Sequence, residues 1–360
     1  MRLIVAVGII ILCTGVNGKV APEDPLYFDL PIKIEDTFEK TIIGELMEDG
    51  LIEPISVELV TGSKRPLFYQ SNIRTTVCDD EVCEIMYVKM YWDLVGEYVG
   101  YDTVAQHPLT KFDHEPFTGK DYDRLHELLN NDGSILKFKE KSELIDKQKV
   151  KASDVVDGTT GATALEIKEE VVEGALYSSY TLWHLAYNGA IKNMLSSHTK
   201  KLLDKALMVS LLNSDRSGYN LFAYHNFKVN DYSIYKSHWL NSLKESIPLT
   251  RKYILKNIPD EMWNTASVQD DVCAMFNFFD VNTKTSLFNK LSTSKNISSK
   301  SIEYISSYIT SMNGNQTRQF LDIIEHNNKL TAVTKKNVRE AAENTEFNYG
   351  YLIDERDWDN

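Results

Sequence analysis

Residues 84–101 read EIMYVKMYWDLVGEYVGY. From Met86 to Trp92, apolar side chains at even positions alternate with tyrosine and lysine at odd positions. Such a period of two predicts a β-strand with one buried face. Gly96 predicts a turn, and residues 97–104 predict the returning strand. This part of the chain is therefore expected to contain an antiparallel sheet.

The sequence on both sides of this hairpin extends the prediction. Residues 54–62 and 64–77 have strand composition and are bounded by proline and glycine. Residues 118–131 predict a helix with Thr118 as its N-cap. Residues 164–188 predict one long helix that Asn188-Gly189 ends. Gly174 inside that helix costs about 1 kcal/mol against alanine, so a close approach to it is expected.

The chain changes character from about residue 200 to 345. Serine, asparagine and lysine become frequent, and apolar pairs recur with a period of 33 residues. The recurring positions are Leu221-Phe222, Ile254-Leu255, Leu287-Phe288 and Phe320-Leu321, then Trp239, Val272 and Ile305, and then Leu243, Phe276 and Ile309. A period of this length is typical of stacked helix pairs. Asn282 and Asn315 are expected to mark turns between paired helices. An irregular helical bundle is the alternative.

Length, charge and the first residues limit the class of protein. The 360 residues are enough for two domains, and the net charge of −13 argues against nucleic-acid binding. Residues 1–18, MRLIVAVGIIILCTGVNG, resemble a signal peptide with cleavage before Lys19. The apolar run is shorter than a membrane-spanning helix, so a retained N-terminal anchor is the less favoured alternative. The mature chain is therefore expected in the periplasm or at the cell surface.

Three cysteines follow the signal segment. Cys78 and Cys83 can close a small disulfide in an oxidising compartment, and their spacing does not fit a zinc site. Exchange of electrons between this pair and a redox cofactor is the alternative to a structural disulfide. Cys273 is expected to be a buried small apolar residue.

Residues 157–163 read DGTTGAT and precede the predicted long helix. Gly158 and Gly161 permit close backbone approach. Free amides at a helix start favour an anion, and Thr159, Thr160 and Thr163 add hydroxyl donors. The segment is therefore suited to bind a phosphate group. A threonine-capped helix without a ligand is the alternative.

This segment resembles the flavinylation motif of the FMN-binding domain in the NqrC and RnfG subunits of bacterial ion-translocating redox complexes. The motif has an acidic residue, two variable positions, Ser or Thr, Gly, a small residue and a final Thr. All constrained positions match, namely Asp157, Thr160, Gly161, Ala162 and Thr163, with Gly158 and Thr159 at the variable positions. The resemblance covers about residues 75–195. It implies covalent FMN attached through a phosphoester to Thr163 by a separate flavin transferase, with Asp157 in the recognition pattern.

The sequence thus predicts an α+β FMN-binding domain followed by an all-α, HEAT-like helix-pair domain. The predicted segments are a signal peptide (1–18), an N-terminal extension (19–74), the FMN-binding domain (75–197), the helical repeats (198–345) and an acidic tail (346–360) whose composition favours mobility. The resemblance implies electron transfer with a redox partner protein or a quinone, alone or as an oxidoreductase subunit, without a catalytic residue. The alternative is a non-enzymatic extracytoplasmic binding or scaffold protein that uses its repeats.

Other polar and aromatic residues offer weaker candidates. His126 in HELLN lacks the second histidine of a zinc motif and fits a helix surface. The turn at residues 111–114 could flank the flavin, although a satisfied loop is favoured. His184 fits a capping or core role. Tyr177, Tyr180 and Trp183 share helical spacing, which favours core packing and leaves flavin contact open for one of them.

Overall fold

The computed structural model describes residues 26–35, 37–47, 51–77, 85–104, 106–144, 166–327 and 329–356, except for the side chain of Asp113. The chain divides into two compact units, residues 1–196 and 197–360. The first contains a sheet with helices and the second contains helices alone. The predicted class, α+β followed by all-α, is confirmed at this level.

A six-stranded antiparallel sheet organises the first unit. Its strands are β1 (Tyr27–Phe28), β2 (Glu39–Leu46), β3 (Ile55–Gly62), β4 (Arg65–Thr75), β5 (Met86–Trp92) and β6 (Tyr98–Thr103). Their order in the sheet is β1-β6-β5-β4-β3-β2. Strands β2 to β6 follow the chain order, so hairpin connections build most of the sheet. The predicted boundary between residues 74 and 75 falls inside β4.

One face of the sheet is covered by helices. Met86, Val88, Met90 and Trp92 are buried, as their alternation predicts. The covering helices are α1 (Gly119–Leu129) and α2 (Leu176–Ala186), which contact each other, β6 and β5. The indole Nε1 of Trp92 donates to the carbonyl of Ala186 at 3.0 Å. This bond joins the centre of the sheet to the end of α2.

The chain that precedes β2 covers part of the other face. Val60, Phe68 and Tyr91 form a cluster there with Leu30 and Val99, and residues between 28 and 38 pack against it. Phe28 meets the rings of Phe68 and Tyr91 edge-on at 5.0 and 5.2 Å. Residues before position 75 therefore complete the core of the first unit.

The prediction of one helix over residues 164–188 is wrong for its described part. A short 3₁₀-helix spans Lys168–Glu170, Val171 is extended, and α2 begins only at Leu176. Gly174 has φ of +79°, a left-handed conformation that a continuous helix excludes. The expected close approach to Gly174 is confirmed, because a Cβ there would lie 3.3 Å from the side chain of Lys111. The helix does end before Gly189, where α3 (Gly189–Leu202) begins.

The second unit is an array of helices. They are α4 (Lys205–Leu212), α5 (Ser217–His225), α6 (Asp231–Ile234), α7 (Lys236–Glu245), α8 (Pro248–Asn257), α9 (Asp260–Trp263), α10 (Ala266–Cys273), α11 (Val281–Ser292), α12 (Ser299–Ser306), α13 (Gly314–Asn327), α14 (Ala332–Glu343) and α15 (Tyr351–Asp354). Helices α5, α8, α11 and α13 contact one another in sequence. Helices α7, α10, α12 and α14 do the same. The array therefore alternates between two rows.

The recurrence in the sequence maps onto equivalent positions of these rows. Trp239, Val272 and Ile305 are buried in α7, α10 and α12, and Val338 continues the series in α14. Polar contacts repeat as well: the Ser298 hydroxyl donates to Asp270 at 2.6 Å, and the Thr331 hydroxyl donates to Glu303 at 2.7 Å. Each bond joins a helix start to the preceding helix of its row.

Two predictions in this half are corrected. Asn282 and Asn315 lie in the first turns of α11 and α13, whereas Asp280 and Asn313 precede these helices. Residues 346–356 of the tail are packed and not extended into solvent, because Phe347, Leu352 and Ile353 are buried, which argues against the predicted mobility. Arg356 also binds the carboxylates of Asp322 and Glu325 at 2.7 and 2.6 Å. Apolar residues inside an acidic segment explain this packing.

Candidate functional site

All seven residues of the flavinylation motif, 157–163, lie outside the described residues. The chain is described up to Leu144 and again from Glu166. Leu144 and Ile167 are both fully buried in the first unit. Residues 145–165 contain the motif and are called the motif-bearing segment. The residues at both of its ends are therefore anchored in the unit that contains the sheet.

Two basic side chains hold the downstream end of this segment. The ammonium of Lys139 contacts the carboxylate of Glu166. The guanidinium of Arg124, on α1, donates to the carbonyl of Glu169. Both groups carry a positive charge at neutral pH, and Lys139 keeps about a fifth of its side chain exposed. Both cations are paired with carboxylates, Lys139 with Glu166 and Arg124 with Glu127 at 3.0 Å, so an additional anion here would share them with these groups.

Aromatic residues of α2 lie against the chain that leads into the same segment. The Tyr180 hydroxyl donates to the carbonyl of Lys139 at 3.0 Å. The Lys141 ammonium lies 5.8 Å from the ring centroid of Tyr177. Trp183 is buried, and its indole donates to the carbonyl of Asn131 at 2.9 Å. Trp183 is thus a core residue, while Tyr177 and Tyr180 are half-buried.

The ring of His184 belongs to this aromatic group and is occupied by contacts with neighbouring residues. Its centroid lies 4.2 Å from that of Tyr180, and its Nε2 lies 3.1 Å from the carbonyl of Leu136. A carbonyl only accepts, so Nε2 carries the proton. Burial lowers the pKa of His184, which the carbonyl contact only partly offsets. The ring is accordingly a neutral, packed hydrogen-bond donor, which agrees with the core role.

The turn at residues 111–114 packs against the residues that precede α2. The backbone N–H of Phe112 donates to the carbonyl of Gly174 at 2.8 Å. The Lys111 ammonium lies 2.9 Å from the carboxylate of Asp121, on α1. Asp121 also accepts from the backbone N–H and hydroxyl of Thr118, at 2.8 and 2.7 Å, so Thr118 is the N-cap residue as predicted. This ion pair ties the turn to the start of α1.

The pKa of Asp121 reflects these contacts. Burial alone would raise it, but the hydrogen bonds from Lys111 and Thr118 outweigh burial and lower it. Asp121 is therefore ionised at neutral pH, as its ion pair requires.

One buried acceptor lies close to the motif-bearing segment. Oε2 of Glu170 is buried and has no hydrogen-bond partner in the described part of the chain. Buried polar atoms normally have partners, and residues 145–165, which precede this part of the chain, lie outside the described residues. A donor such as a ring imide or a hydroxyl would satisfy this oxygen.

The remaining candidates are placed as follows. Cys78 and Cys83 lie outside the described residues, so their disulfide stays a prediction. Cys273 is fully buried as predicted, and burial raises the pKa of its thiol to about 12. His126 stacks on Tyr27 at 4.2 Å and lies 3.5 Å from the carboxylate of Asp29. Across the described ranges, no three His, Cys, Asp or Glu residues are grouped to hold a metal ion.

Arg124, Lys139 and Glu170 were not identified from the sequence. The segment around Lys139 has the composition of a polar connection, and Arg124 looks like an ordinary residue on a helix surface. Only the packing of α1 and α2 brings these side chains to the same end of the motif-bearing segment. An unusual density of charge between residues 139 and 170 is the one available signal.

Comparison with known proteins gives no relative: no family model, no curated protein and no solved structure matches this chain. Within the described ranges, no helix has the length and apolar character needed to cross a membrane.

Proposed function

We propose that this protein is an exported flavoprotein that carries FMN on Thr163 and transfers electrons between extracytoplasmic redox partners. The observation that carries the proposal is the match of residues 157–163 to every constrained position of the flavinylation motif. Asp157, Gly158, Thr159, Thr160, Gly161 and Ala162 would complete the recognition and binding segment. The signal-like residues 1–18 supply the export that this chemistry needs.

Covalent geometry limits where the flavin can lie. Thr163 and Glu166 are three residues apart, a distance that the chain spans with at most about 11 Å. A group bound to Thr163 therefore stays tethered to the region of Lys139, Arg124 and Tyr180. This region has two ion-paired cations and the half-buried rings of Tyr177 and Tyr180, and within the described residues Oε2 of Glu170 has no hydrogen-bond partner. FMN bound at Thr163 would use these rings and this acceptor as contacts.

The bound flavin would supply one- and two-electron transfer, which needs no acid, base or nucleophile from the protein. The residues of this chain act on binding and position. Lys139 and Arg124 fix the segment that follows the attachment residue. The Lys111–Asp121 pair fixes the turn that packs on Gly174. A rigid frame at both ends of the segment would hold the ring in one orientation.

The partners follow from the same chemistry. A flavin transferase makes the phosphoester, and a redox partner protein or a quinone exchanges electrons with the ring. Association with the membrane would follow from retention of the N-terminal segment as an anchor, and cleavage before Lys19 would release the chain. The protein would work as an electron-transfer flavoprotein or as a subunit of an oxidoreductase.

We assign the helical array to the HEAT-like class of stacked helix pairs. The supporting observation is that buried positions and helix-start contacts are equivalent from one repeat to the next. Such arrays present extended surfaces to partners. The second candidate function, a non-enzymatic binding or scaffold protein, rests on this array alone. It requires neither Thr163 nor a flavin.

Fluorescence on denaturing gels tests the flavin. The chain is exported from cells that contain a flavin transferase, and its bands are viewed under ultraviolet light. The wild type and Thr159→Ala are expected to fluoresce, and Thr163→Ala is not. Equal fluorescence of wild type and Thr163→Ala would show that Thr163 is not the attachment residue. A colourless wild type would favour the binding-protein function.

A further inference from the structure

A cavity of about 300 Å³ lies between α11 and α13 of the helical array. Phe288 from α11 and Ile323 from α13 line it, and both are buried, with 1% and 3% of their surface exposed. The other lining residues of the described chain are polar, namely Ser292, Gln319, Asp322, His326 and Asn327. The cavity belongs entirely to the second unit and shares no residue with the proposed flavin site.

The polar side chains of this lining use their donor groups within their own helices. Nδ1 of His326 and the amide nitrogen of Asn327 each contact the backbone carbonyl four residues earlier in α13, at 2.7 and 2.9 Å. The hydroxyl of Ser292 donates to the carbonyl three residues earlier in α11, at 2.9 Å. A carbonyl only accepts, so Nδ1 of His326 carries the proton, and Nε2 of the neutral ring is an acceptor. These side chains thus leave mainly acceptors for a ligand.

Gln319 and Asp322 supply the strongest acceptors of the lining. Oε1 of Gln319 is buried and has no hydrogen-bond partner in the described part of the chain, while its amide nitrogen lies 3.4 Å from Oδ1 of Asn289. Asp322 is the one carboxylate among the described lining residues, which include no lysine or arginine. Arg356 binds one oxygen of Asp322 and also Glu325, at 2.7 and 2.6 Å, so two negative charges share one positive charge. A ligand that donates hydrogen bonds and carries a positive charge therefore complements this lining.

The preceding repeat has a cation of the chain itself at the equivalent position. Lys290, on α11, stands 33 residues before Ile323. Its ammonium donates to the carbonyl of Ile258, at the end of α8, at 2.9 Å and lies 5.5 Å from the ring centroid of Trp263. One repeat later, isoleucine replaces this lysine, and Asn296 stands where Trp263 does. The loss of a lysine and a tryptophan accounts for an open cavity between α11 and α13.

We propose that this cavity binds a primary ammonium carried on an apolar stem. The stem packs against Phe288 and Ile323, and the ammonium donates to Oε1 of Gln319 with Asp322 as its anion. The ligand thereby supplies from outside the kind of cation that Lys290 supplies within the chain. The side chain of a lysine in a partner protein and a small alkylamine share this chemistry.

Methyl NMR of the full chain tests the proposal with pentylamine and pentanol, which have the same length but differ in charge. The protein is labelled at isoleucine methyl groups, and the Ile323 signal is assigned with Ile323→Val. Titration to about 10 mM would saturate a site with a Kd of about 1 mM. The amine is expected to shift the Ile323 signal with an affinity about tenfold or more above that of the alcohol, because only the amine forms charge-assisted bonds. The signal of Ile42, exposed on β2, should not move.

Three variants separate the two acceptors from general packing. Gln319→Met keeps the length without the acceptor, and Asp322→Asn removes the negative charge. Each should lower the ratio of amine affinity to alcohol affinity by about fivefold, and together they should bring the ratio to about one. Glu261→Gln makes the same change of charge at an exposed site of the array and should leave the ratio unchanged.

A lysine built into the chain should fill the same place as the ligand. Ile323→Lys gives α13 the residue that α11 has at position 290. Pentylamine signals that broaden on binding to the wild type should stay sharp with this variant. Ile323→Leu, the matched apolar control, should keep the broadening. Equal broadening by Ile323→Lys and the wild type would contradict the proposed position of the ammonium.

A peptide with one lysine among uncharged residues distinguishes the two sources of ammonium. A peptide that binds about tenfold more tightly than pentylamine indicates the side chain of a partner protein, and equal or weaker affinity indicates a small amine. The proposal is overturned if amine and alcohol bind the wild type equally, or if neither shifts the Ile323 signal. It is also overturned if the amine keeps its full preference when Gln319→Met and Asp322→Asn are combined.

Discussion

The two units of this chain distribute their contacts and charges differently. In the first unit, bonds such as Trp92 to Ala186 join residues far apart in sequence. In the second unit, recurring contacts join positions about one repeat apart, as in Ser298 to Asp270. Residues 1–196 contain 19 Lys and Arg against 33 Asp and Glu, whereas residues 197–360 contain 20 against 19. The net charge is thus −14 (19 − 33) in the first unit and +1 (20 − 19) in the second.

This difference has a consequence for stability. A sheet unit with distant contacts is expected to unfold as a whole when its centre is damaged. An array of repeats is stabilised by contacts between neighbours, so damage stays near the changed repeat. The first unit would therefore give a proposed cofactor a rigid frame, and the second would give partners an extended surface.

The largest effect is expected at the centre of the sheet. Trp92→Ala should destabilise the first unit by about 3–5 kcal/mol, because it removes a fully buried indole. Hydrogen exchange measured by mass spectrometry should show loss of protection across β3 to β5 together. Peptides of α8 to α11 should keep their protection. An equal loss in both units would contradict their independence.

A buried residue of the array should give a large but local effect. Ile305→Ala in α12 is expected to cost about 2–5 kcal/mol. The same exchange experiment should show faster exchange in α10, α12 and α14 and none in the sheet. Val338→Ala, at the same register in α14, is the matched control and should affect fewer helices. Uniform loss of protection over the whole array would argue against stacked, separable repeats.

The Lys111–Asp121 pair should contribute less and depend on pH. Asp121→Asn is expected to cost about 1–3 kcal/mol at pH 7, because it leaves a partly buried ammonium without its anion. The folded-state pKa of Asp121 is lowered, so its contribution is present above the unfolded pKa of about 4 and is lost as pH falls through the folded value. Urea unfolding of both proteins between pH 7 and 3 checks this. A difference that stays constant over this range would contradict the ion-pair account.

The smallest effects are expected at the repeated polar contacts. Ser298→Ala and Thr331→Ala should each cost about 1 kcal/mol, since each hydroxyl bonds an acid of the preceding helix in its row. Thr265→Ala is the control at the same register, where the hydroxyl donates to the carbonyl of Met262 instead. Similar urea midpoints for Ser298→Ala and Thr331→Ala would support the claim that these residues hold equivalent positions in successive repeats. A large difference between them would weaken it.

The success of the sequence prediction differed between the units for physical reasons. Strand β5 was predicted because the alternation from Met86 to Trp92 is typical of a strand, β3 and β4 from their composition between proline and glycine, and β6 as the return after the turn at Gly96. The array was predicted because equivalent positions bury equivalent residues. The structure of the segment before α2 was not predicted. There Gly174 has a left-handed backbone and packs closely against Lys111, a residue distant in sequence. The convergence of Arg124, Lys139 and Glu170 depends on helix packing in the same way.

The attachment of FMN to Thr163 is the central claim. Its most direct measurement is the intact mass of chain exported in the presence of a flavin transferase, followed by fragmentation of the peptide that contains residues 157–163. The account predicts a gain equal to one FMN minus one water, located on Thr163 and absent from Thr163→Ala. An unmodified mass, or a flavin located on another residue, would contradict it.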